Sequence, residues 1–432
     1  MNYFSTRGAG PVSLHDALRQ GIADDGGLYL PEYWPNFSLD DFVPGASIQT
    51  VAETLLRPFF AGSPLAPELG AILDETFRFP IPEQALPGAN ASMLELFHGP
   101  TAAFKDVGAG FLAACLSRLE GDADSPLCIL VATSGDTGGA VAAAFDQKPG
   151  MRVVVLFPAG RVSERQEKQL CCWGDNVLSL KVRGSFDDCQ ALVKAALADD
   201  DLQQRYRFSS ANSINIGRLL PQATYYAAAS LSHFRARGTC PGFVIPTGNL
   251  GNALACVLVR KMGLPVGPIM LATNANRSIP DYFASLEWQP RPSIATLASA
   301  MDVGDPSNME RLRHVLGDAE VLREELAVVS VSDVDIRKEI KRSYSEFGLS
   351  VCPHTATALH AWRTMDARTR ESAHWILVAT AHAAKFETIV EPITGSTIPL
   401  PAELADILSR PSSSILIEPT RDAFANALGR NF

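Results

Sequence analysis

The chain has 432 residues and a net charge of −10; 47% of its residues are hydrophobic and 19% are charged. This length predicts two or three domains, and the composition is that of a globular protein and not of a disordered one. The acidic balance argues against nucleic acid as a partner, because binding to phosphate backbones needs a basic surface.

Membrane and export signals are not indicated either. No run approaches the ~18 apolar residues of a membrane span, and residues 1–8 lack the charged and apolar regions of a signal peptide. The cysteines form no CxxC pair, which argues against a zinc site or a disulfide framework. They stand at positions 115, 128, 171, 172, 189, 240, 256 and 352. We expect buried, reduced thiols and a cytoplasmic protein.

Along the chain, a loop-rich N-terminal stretch with amphipathic helical segments gives way to alternating strands and helices. Pro, Gly and Asn cluster at 80–90, which predicts a boundary there. Strands are predicted at 127–132, 152–157, 177–182, 243–245, 269–273, 328–331 and 375–379. Helices are predicted at 140–145, after the capping residues Ser163, Ser185 and Ser332, and up to Met262 before Gly263. This alternation indicates an α/β fold with parallel sheets, in which ligands bind at the carboxyl ends of strands.

Lys105 opens an apolar helical stripe between Phe104 and Val107. In apolar surroundings the ammonium form is disfavoured, so the pKa falls and the amine becomes a candidate Schiff-base nucleophile. A lysine whose stem packs while its head reaches water is the alternative.

A glycine-rich turn, Gly248-Asn249-Leu250-Gly251-Asn252, lies between a predicted strand and a predicted helix. Its glycines permit tight turns, and free amides at a helix start can hold a phosphate. It lacks the spacing of a dinucleotide fingerprint and the Lys of a Walker loop, so a structural turn is an equal alternative.

Two further segments offer anion contacts. The turn containing Ser134, Asp136 and Thr137 supplies hydroxyls and amides at another helix start, or else is a capped turn. Arg161, Ser163 and Lys168 lie beside a helix N-terminus and could bind a dianion, or else form a solvated helix face.

A reactive lysine with a phosphate-binding turn suggests pyridoxal 5'-phosphate. That cofactor also needs a partner for its pyridine nitrogen, and Thr380, just past the strand at 375–379, offers a hydroxyl. The histidines His98, His354 and His382 show no metal-ligand spacing, so we propose no metal.

Ordered motifs along nearly the whole chain resemble the threonine synthase family, of the longer type found in bacteria and fungi. The motifs are Tyr3 to Gly8, Asp25 to Pro31, Phe97-His-Gly-Pro-Thr-Ala-Ala-Phe-Lys-Asp106, Ala132-Thr-Ser-Gly-Asp-Thr-Gly138, Gly160 to Ser163, Gln166 to Leu170, Asn212 to Asn215, Arg218 to Tyr226, Pro246-Thr-Gly-Asn-Leu-Gly-Asn252, Cys352-Pro-His-Thr-Ala-Thr357 and Ala379-Thr-Ala-His-Ala-Ala-Lys-Phe386. The chain departs from the family pattern at Val107, Leu250 and Ala383, and Gly108 and Gly110 are expected to loosen the helix after Lys105.

The resemblance implies the tryptophan-synthase β-like fold, fold type II of pyridoxal-phosphate enzymes, with two parallel-sheet α/β domains and the cofactor in the cleft between them. We expect an N-terminal segment at 1–90, a large cofactor-binding domain at 91–126 and 211–432, and a small domain at 127–210.

The resemblance also implies conversion of O-phospho-L-homoserine and water to L-threonine and phosphate. Lys105 would then be the catalytic lysine, residues 248–252 and Thr380 would bind the cofactor, and Ser134, Asp136, Thr137, Arg161, Ser163 and Lys168 would meet the substrate. A phospho-lyase that yields 2-oxobutyrate and a non-catalytic homologue are the alternatives. We expect the protein to bind a small-molecule substrate and neither nucleic acid nor a membrane. We expect it to be a monomer or a homodimer.

Overall fold

The computed structural model describes residues 1–121 and 125–432. Its strands are β1 (Tyr3–Ser5), β2 (Tyr29–Pro31), β3 (Glu83–Ala85), β4 (Ala91–Glu95), β5 (Leu127–Ala132), β6 (Met151–Pro158), β7 (Val177–Val182), β8 (Phe208–Ser210), β9 (Gly242–Pro246), β10 (Ile269–Thr273), β11 (Leu326–Ser330), β12 (Trp375–Ala379) and β13 (Ile415–Ile417).

The described α-helices lie between strands in chain order, except for the last one, which follows β13. They are α1 (Leu14–Gln20), α2 (Ile48–Phe60), α3 (Leu69–Thr76), α4 (Lys105–Glu120), α5 (Asp136–Phe145), α6 (Glu164–Cys171), α7 (Phe186–Leu197), α8 (Asp200–Tyr206), α9 (Ile216–Leu219), α10 (Gln222–Arg237), α11 (Gly251–Lys261), α12 (Ser278–Ser285), α13 (Met309–Leu316), α14 (Ala319–Glu325), α15 (Asp333–Phe347), α16 (Pro353–Thr364), α17 (Ala367–Glu371), α18 (Glu387–Thr394), α19 (Ala402–Ser409) and α20 (Arg421–Asn431). Short 3-10 helices lie at Leu39–Asp41, Ala66–Glu68, Ser299–Met301 and Ala383–Phe386.

Two larger sheets organise the molecule. The first has the order β11-β10-β9-β12-β4-β3 and is parallel except for β3, which pairs antiparallel with β4. The second has the order β13-β7-β6-β5-β8 and is parallel throughout. Buried strands with apolar side chains on both faces are what parallel sheets covered by helices require. The predicted pair of parallel-sheet α/β domains is therefore confirmed.

Sheet membership departs from the predicted ranges in two places. Strand β3 lies inside the boundary expected at 80–90, yet it pairs with β4 in the first sheet. Strand β13, within the range 211–432 assigned to the large domain, pairs with β7 at the edge of the second sheet. Both strands are only three residues long, too short for an alternating pattern to mark them. Residues 122–124 of the predicted 91–126 segment lie outside the described residues.

The N-terminal segment packs onto this framework through a small sheet and three helices. Strands β1 and β2 form an antiparallel pair, and α2 and α3 bury apolar side chains in the same core as α4. Helix α4 runs unbroken through Gly108 and Gly110, so the expected loosening is absent from it. In the residues that the structure describes, no helix is long and apolar enough to cross a membrane.

Candidate active site

A cavity of about 200 Å³ opens where β5, β9 and β12 end. The carboxyl ends of parallel strands are the expected place for a ligand in such sheets. Most of the predicted site residues line it, namely Lys105, Ser134, Asp136, Thr137, Gly248, Asn249, Leu250, Gly251, Asn252 and Thr380. The three predicted residues Arg161, Ser163 and Lys168 do not.

Lys105 is the first residue of α4, and the end of β12 holds it in place. The Phe104 N–H donates to the Thr380 carbonyl at 2.8 Å, and Ala103 forms an antiparallel bridge with Ala381. The Lys105 amine and Thr380 therefore come to the same cavity. Burial lowers the pKa of Lys105 to about 8, with Lys385 and Arg218 adding repulsion while Asp136 acts in the opposite direction. The amine is partly neutral near physiological pH, as a nucleophile requires.

The glycine-rich turn ends β9 and starts α11. Leu250 adopts a left-handed conformation with φ +63°, and the next residue is the first of the helix. Among the described residues, no acceptor is hydrogen-bonded to the backbone amides of 248–253. Free amides at a helix N-terminus, together with the helix dipole, favour a bound dianion.

Hydrogen bonds to neighbouring residues fix the conformation of this turn. Asn249 accepts from the Ser307 N–H at 2.6 Å and donates to the Ser213 hydroxyl at 2.5 Å. Asn308 donates to the Asn249 carbonyl at 3.1 Å. Since these bonds leave the amides of the turn free, its shape is set without using the groups that would bind a ligand.

Asn252 carries a buried polar atom without a partner. Its Oδ1 accepts from the Tyr225 and Tyr226 hydroxyls at 2.5 and 2.9 Å, while its Nδ2 has no hydrogen-bond partner among the described residues. Because an unpaired buried donor costs free energy, the side chain is suited to a ligand that supplies an acceptor.

A second helix N-terminus faces the same cavity, at the start of α5. The Thr133 hydroxyl accepts from the Gly135 and Gly138 amides, both at 2.9 Å. Gly135 has φ +136°, and a Cβ there would lie 2.6 Å from the Gln166 amide nitrogen, so only glycine fits. This turn leaves Ser134, Asp136 and Thr137 on the cavity wall.

Asp136 forms a buried ion pair with Lys385. Their Oδ1 and Nζ atoms are 2.8 Å apart, and both side chains are almost fully buried. Burial opposes ionisation of Asp136, but Lys385, Lys105 and His354 together hold the pKa of its carboxyl below the usual range. Sequence reasoning did not assign Lys385 a role, although a lysine in the apolar stretch Ala383-Ala384-Lys385-Phe386 was a signal comparable to Lys105.

Arg218 is a second residue without a predicted role. Its Nη1 donates to the Ala211 carbonyl, while its Nε is buried without a partner among the described residues. The side chain lines the cavity, and burial lowers the pKa of the guanidinium to about 10. Gly108 makes room for it, since a Cβ there would lie 2.9 Å from Arg218 Nε.

The structure places Arg161, Ser163 and Lys168 on and before α6, outside the lining of the cavity. Ser163 caps α6 in the predicted capping box with Gln166, and its hydroxyl donates to the Lys385 carbonyl at 3.4 Å. Arg161 is exposed. The start of helix α6 packs against the 3-10 helix at Ala383–Phe386, where Arg165 also donates to the Ala384 carbonyl at 2.5 Å.

The three histidines named in the sequence analysis lie in different surroundings. His354 lines the cavity and accepts from the Ala300 N–H at 3.0 Å, and burial lowers its pKa to about 4. His98 lies 2.7 Å from Glu95, and His382 caps the 3-10 helix at Ala383–Phe386.

These residues fit pyridoxal phosphate. The cofactor needs an amine, a cradle for a phosphate dianion and a partner for its ring nitrogen. The cavity offers Lys105, the free amides of 248–253 and the unpaired Asn252 Nδ2, and Thr380 on the same wall.

Comparison with known families agrees with this chemistry. The family described as pyridoxal-phosphate dependent enzyme matches residues 86–381. The threonine synthase N terminus matches residues 2–77, and the C-terminal region of threonine synthase matches residues 355–427.

Individual relatives and solved structures point the same way. Threonine synthase of Serratia marcescens is 39% identical over 91% of both chains, and that of Escherichia coli is 38% identical over 91% of both. A crystal structure of pyridoxal-phosphate-bound threonine synthase from Brucella melitensis aligns with a TM-score of 0.91 at 33% identity, covering 100% of this chain and 99% of the other. The Escherichia coli structure aligns with a TM-score of 0.90 at 35% identity, covering both chains completely. The chain therefore belongs to the threonine synthase family of pyridoxal-phosphate-dependent enzymes, with the type II fold.

Proposed function

We propose that the protein converts O-phospho-L-homoserine and water to L-threonine and phosphate. The observation that carries the proposal is one cavity that joins Lys105 to two helix N-termini and to the buried Arg218. The cofactor and the substrate each bring a phosphate, and the substrate adds a carboxylate. A site for this pair therefore needs several anion-binding groups beside one amine.

The cofactor supplies an electron sink that stabilises negative charge at the substrate's Cα. Lys105 would hold it covalently, residues 248–252 would bind its phosphate, and Thr380 would offer a hydroxyl to the ring nitrogen. A hydroxyl partner leaves that nitrogen largely neutral, unlike an aspartate.

On the substrate side, we assign anion binding to the start of α5 and to Arg218. Ser134, Asp136 and Thr137 line the same cavity as the glycine-rich turn, and their hydroxyls and the amides at this helix start suit a carboxylate or the cofactor's phenolic oxygen. Arg218 offers a guanidinium in a desolvated setting to the leaving phosphate. It replaces Arg161, Ser163 and Lys168 in that role, because those three residues do not reach the cavity lining.

Lys105 is the candidate base at Cα once substrate has displaced it from the cofactor. Its pKa of about 8 lets the amine accept that proton and return it near neutral pH. The reaction further requires proton removal at Cβ, loss of phosphate from Cγ, protonation at Cγ and addition of water at Cβ. Lys105, the first residue of α4, is the one lysine among the described residues that line the cavity, and it is therefore our candidate for these transfers.

A product assay tests the function. The purified protein, loaded with pyridoxal phosphate and given O-phospho-L-homoserine, should release threonine and inorganic phosphate in equal amounts. Accumulation of 2-oxobutyrate in place of threonine would identify a phospho-lyase, and no product at all would identify a non-catalytic homologue.

Covalent mapping tests the role of Lys105. Borohydride reduction of the cofactor-loaded protein should fix the pyridoxyl group on Lys105, as read by peptide mass spectrometry. A label on Lys168 or Lys385 would overturn the assignment.

We also propose a cytoplasmic location. All eight cysteines lie in the described part of the chain, none is paired, and seven of them are buried. Unpaired thiols are typical of a reducing compartment. A thiol titration of freshly isolated, denatured protein should find eight reactive groups.

A further inference from the structure

Lys385 joins three segments around the cavity. Its Nζ contacts Asp136 Oδ1 at the start of α5, and donates at 2.8 Å to the carbonyl of Thr101. Thr101 in turn donates through its N–H and its hydroxyl to Asp106, the residue after Lys105, at 2.9 and 2.5 Å. With 0% of the residue exposed, Lys385 is enclosed completely.

Two lysines compete for one carboxylate in this arrangement. Asp136 acts electrostatically on both Lys105 and Lys385, but within 4.0 Å it pairs only with Lys385 among the described cations. An ammonium that forms a close ion pair with a carboxylate is held in its charged form. A charged Lys105 could neither bond to an aldehyde nor accept a proton.

We propose that Lys385 is a positioning residue that keeps the Asp136 carboxylate from pairing with Lys105, so that the Lys105 amine remains free for the cofactor. Gln166 assists, because its side-chain amide donates to the same Asp136 oxygen at 3.3 Å. Among the described residues, the other charged or titratable groups facing this cluster are Asp106 on α4, Arg218 on α9, Cys352 and His354 at the start of α16, and His382 before the 3-10 helix. This inference rests on the assignment of Lys105 as the cofactor lysine and not on the identity of the substrate.

The test measures how readily Lys105 captures the cofactor at each pH. The full-length chain, stripped of cofactor, is mixed with pyridoxal phosphate between pH 7 and 10, and the capture rate is followed by absorbance. In the parent protein the rate should rise with pH through about 8, because the neutral amine reacts. In Lys385→Met the midpoint should move upward by about one unit or more, since the freed carboxylate pairs with Lys105.

Matched variants separate this role from simple packing. Lys385→Met combined with Asp136→Asn should lose the upward shift, because no carboxylate remains to capture Lys105. Lys181→Met, which removes an ion pair with Glu167 away from the cavity, should leave the midpoint unchanged. A midpoint in Lys385→Met equal to that of the parent would overturn the proposal.

A second variant tests the proposal in case Lys385→Met does not fold. If Lys385→Met is recovered only unfolded, Lys385→Gln is measured instead, because glutamine keeps a donor near the Thr101 carbonyl but carries no charge to hold Asp136, and its midpoint should also move upward. An unchanged midpoint in that variant would contradict the proposal. The readout involves no phosphohomoserine, so the product assay can fail while this test succeeds, and the reverse.

Discussion

At the residue scale, the two glycines of the turn at 248–252 meet different surroundings. A Cβ on Gly248 would lie 2.6 Å from Met301 Cα, a backbone atom that cannot rotate away. A Cβ on Gly251 would lie 3.6 Å from the Asn308 amide nitrogen and 3.8 Å from Ser213 Cβ, which are ordinary contacts. Only the first glycine is required for close approach of the backbone.

This difference predicts different outcomes for an alanine substitution at the two glycines. Gly248→Ala should displace the turn and increase cofactor dissociation roughly tenfold or more, the equivalent of about 1.4 kcal/mol. Gly251→Ala should bind the cofactor like the parent protein. Equilibrium dialysis against pyridoxal phosphate measures both, and equal retention by the two variants would show that the approach to Met301 is unimportant.

Charge gives a second test of the same turn. Gly251→Asp should release the cofactor, because a carboxylate beside a phosphate dianion in a confined site costs several kcal/mol. The alanine variant at this position is the control for size. Retained cofactor in Gly251→Asp would mean that the amides at 248–253 bind something other than the phosphate.

Residues with local signals could be found from the sequence, whereas residues defined by distant contacts could not. Lys105 stands out because it interrupts an apolar stretch, and the turn at 248–252 because of its glycines. Arg218 has significance only through Gly108, which approaches it from another part of the chain. Lys385 interrupts an apolar stretch as Lys105 does, but its pairing with Thr101 and Asp136 could not be predicted from that stretch. The basic cluster at 161–168 shows the same dependence on distant contacts: its sequence predicts a substrate contact, whereas the structure places Arg161, Ser163 and Lys168 outside the cavity lining.

At the scale of elements, the long loop between α12 and α13 forms part of the cavity wall and depends on one carboxylate. Asp302 accepts from Thr296 through its N–H at 3.0 Å and its hydroxyl at 2.7 Å. It also accepts from the Asn274 side chain at 2.7 Å and from Asn276 at 3.2 Å, just beyond β10. These bonds attach the loop to the end of the sheet.

Removing the carboxylate should loosen that loop. Asp302→Asn places a donor among four donors, so at least one buried donor is left without an acceptor, which costs roughly 1–3 kcal/mol. Hydrogen exchange of residues 291–305 should become about ten- to a hundredfold faster. Asp305→Asn, on the same loop but exposed and without a hydrogen bond to the described residues, is the control. Equal protection in the two variants would show that Asp302 does not anchor the loop.

The central strands were the most predictable elements. The strands at 127–132, 177–182, 269–273 and 375–379 are confirmed with the predicted bounds, because each is a short apolar run between turn residues. The strands at 152–157, 243–245 and 328–331 differ by one or two residues at their ends. Strands β1, β2, β3, β8 and β13 were not predicted, since three residues are too few to show a periodic pattern. Strand β4, five residues long and inside the first sheet, was also not predicted.

At the scale of the whole molecule, Arg311 connects the N-terminal segment to the back of the active site. This fully buried side chain donates to the Tyr29 carbonyl at 3.0 Å, to the Ile214 carbonyl at 2.6 Å and to Asn308 Oδ1 at 2.9 Å. Asn308 in turn supports the Asn249 carbonyl. Burial lowers the pKa of Arg311 to about 9, so this many acceptors are needed to keep it charged in the core.

Arg311→Lys should therefore destabilise the protein although it preserves charge. An ammonium cannot reproduce the planar fork, and the carbonyls left without a donor should lower the free energy of unfolding by roughly 2–4 kcal/mol. Arg313→Lys, two residues away on the exposed face of α13, should change it by less than about 0.5 kcal/mol. Urea denaturation measures both, and equal midpoints would mean that the connection contributes little.

The pairing of β13 with β7 has a consequence for synthesis on the ribosome. At about 5–20 residues per second, residues 183–414 take tens of seconds to emerge after β7, and only then does its edge partner arrive. Throughout that interval the growing polypeptide presents the unpaired edge of β7, the kind of surface that recruits other chains and chaperones. The three residues of β13 thus decide how long nascent molecules remain open to aggregation.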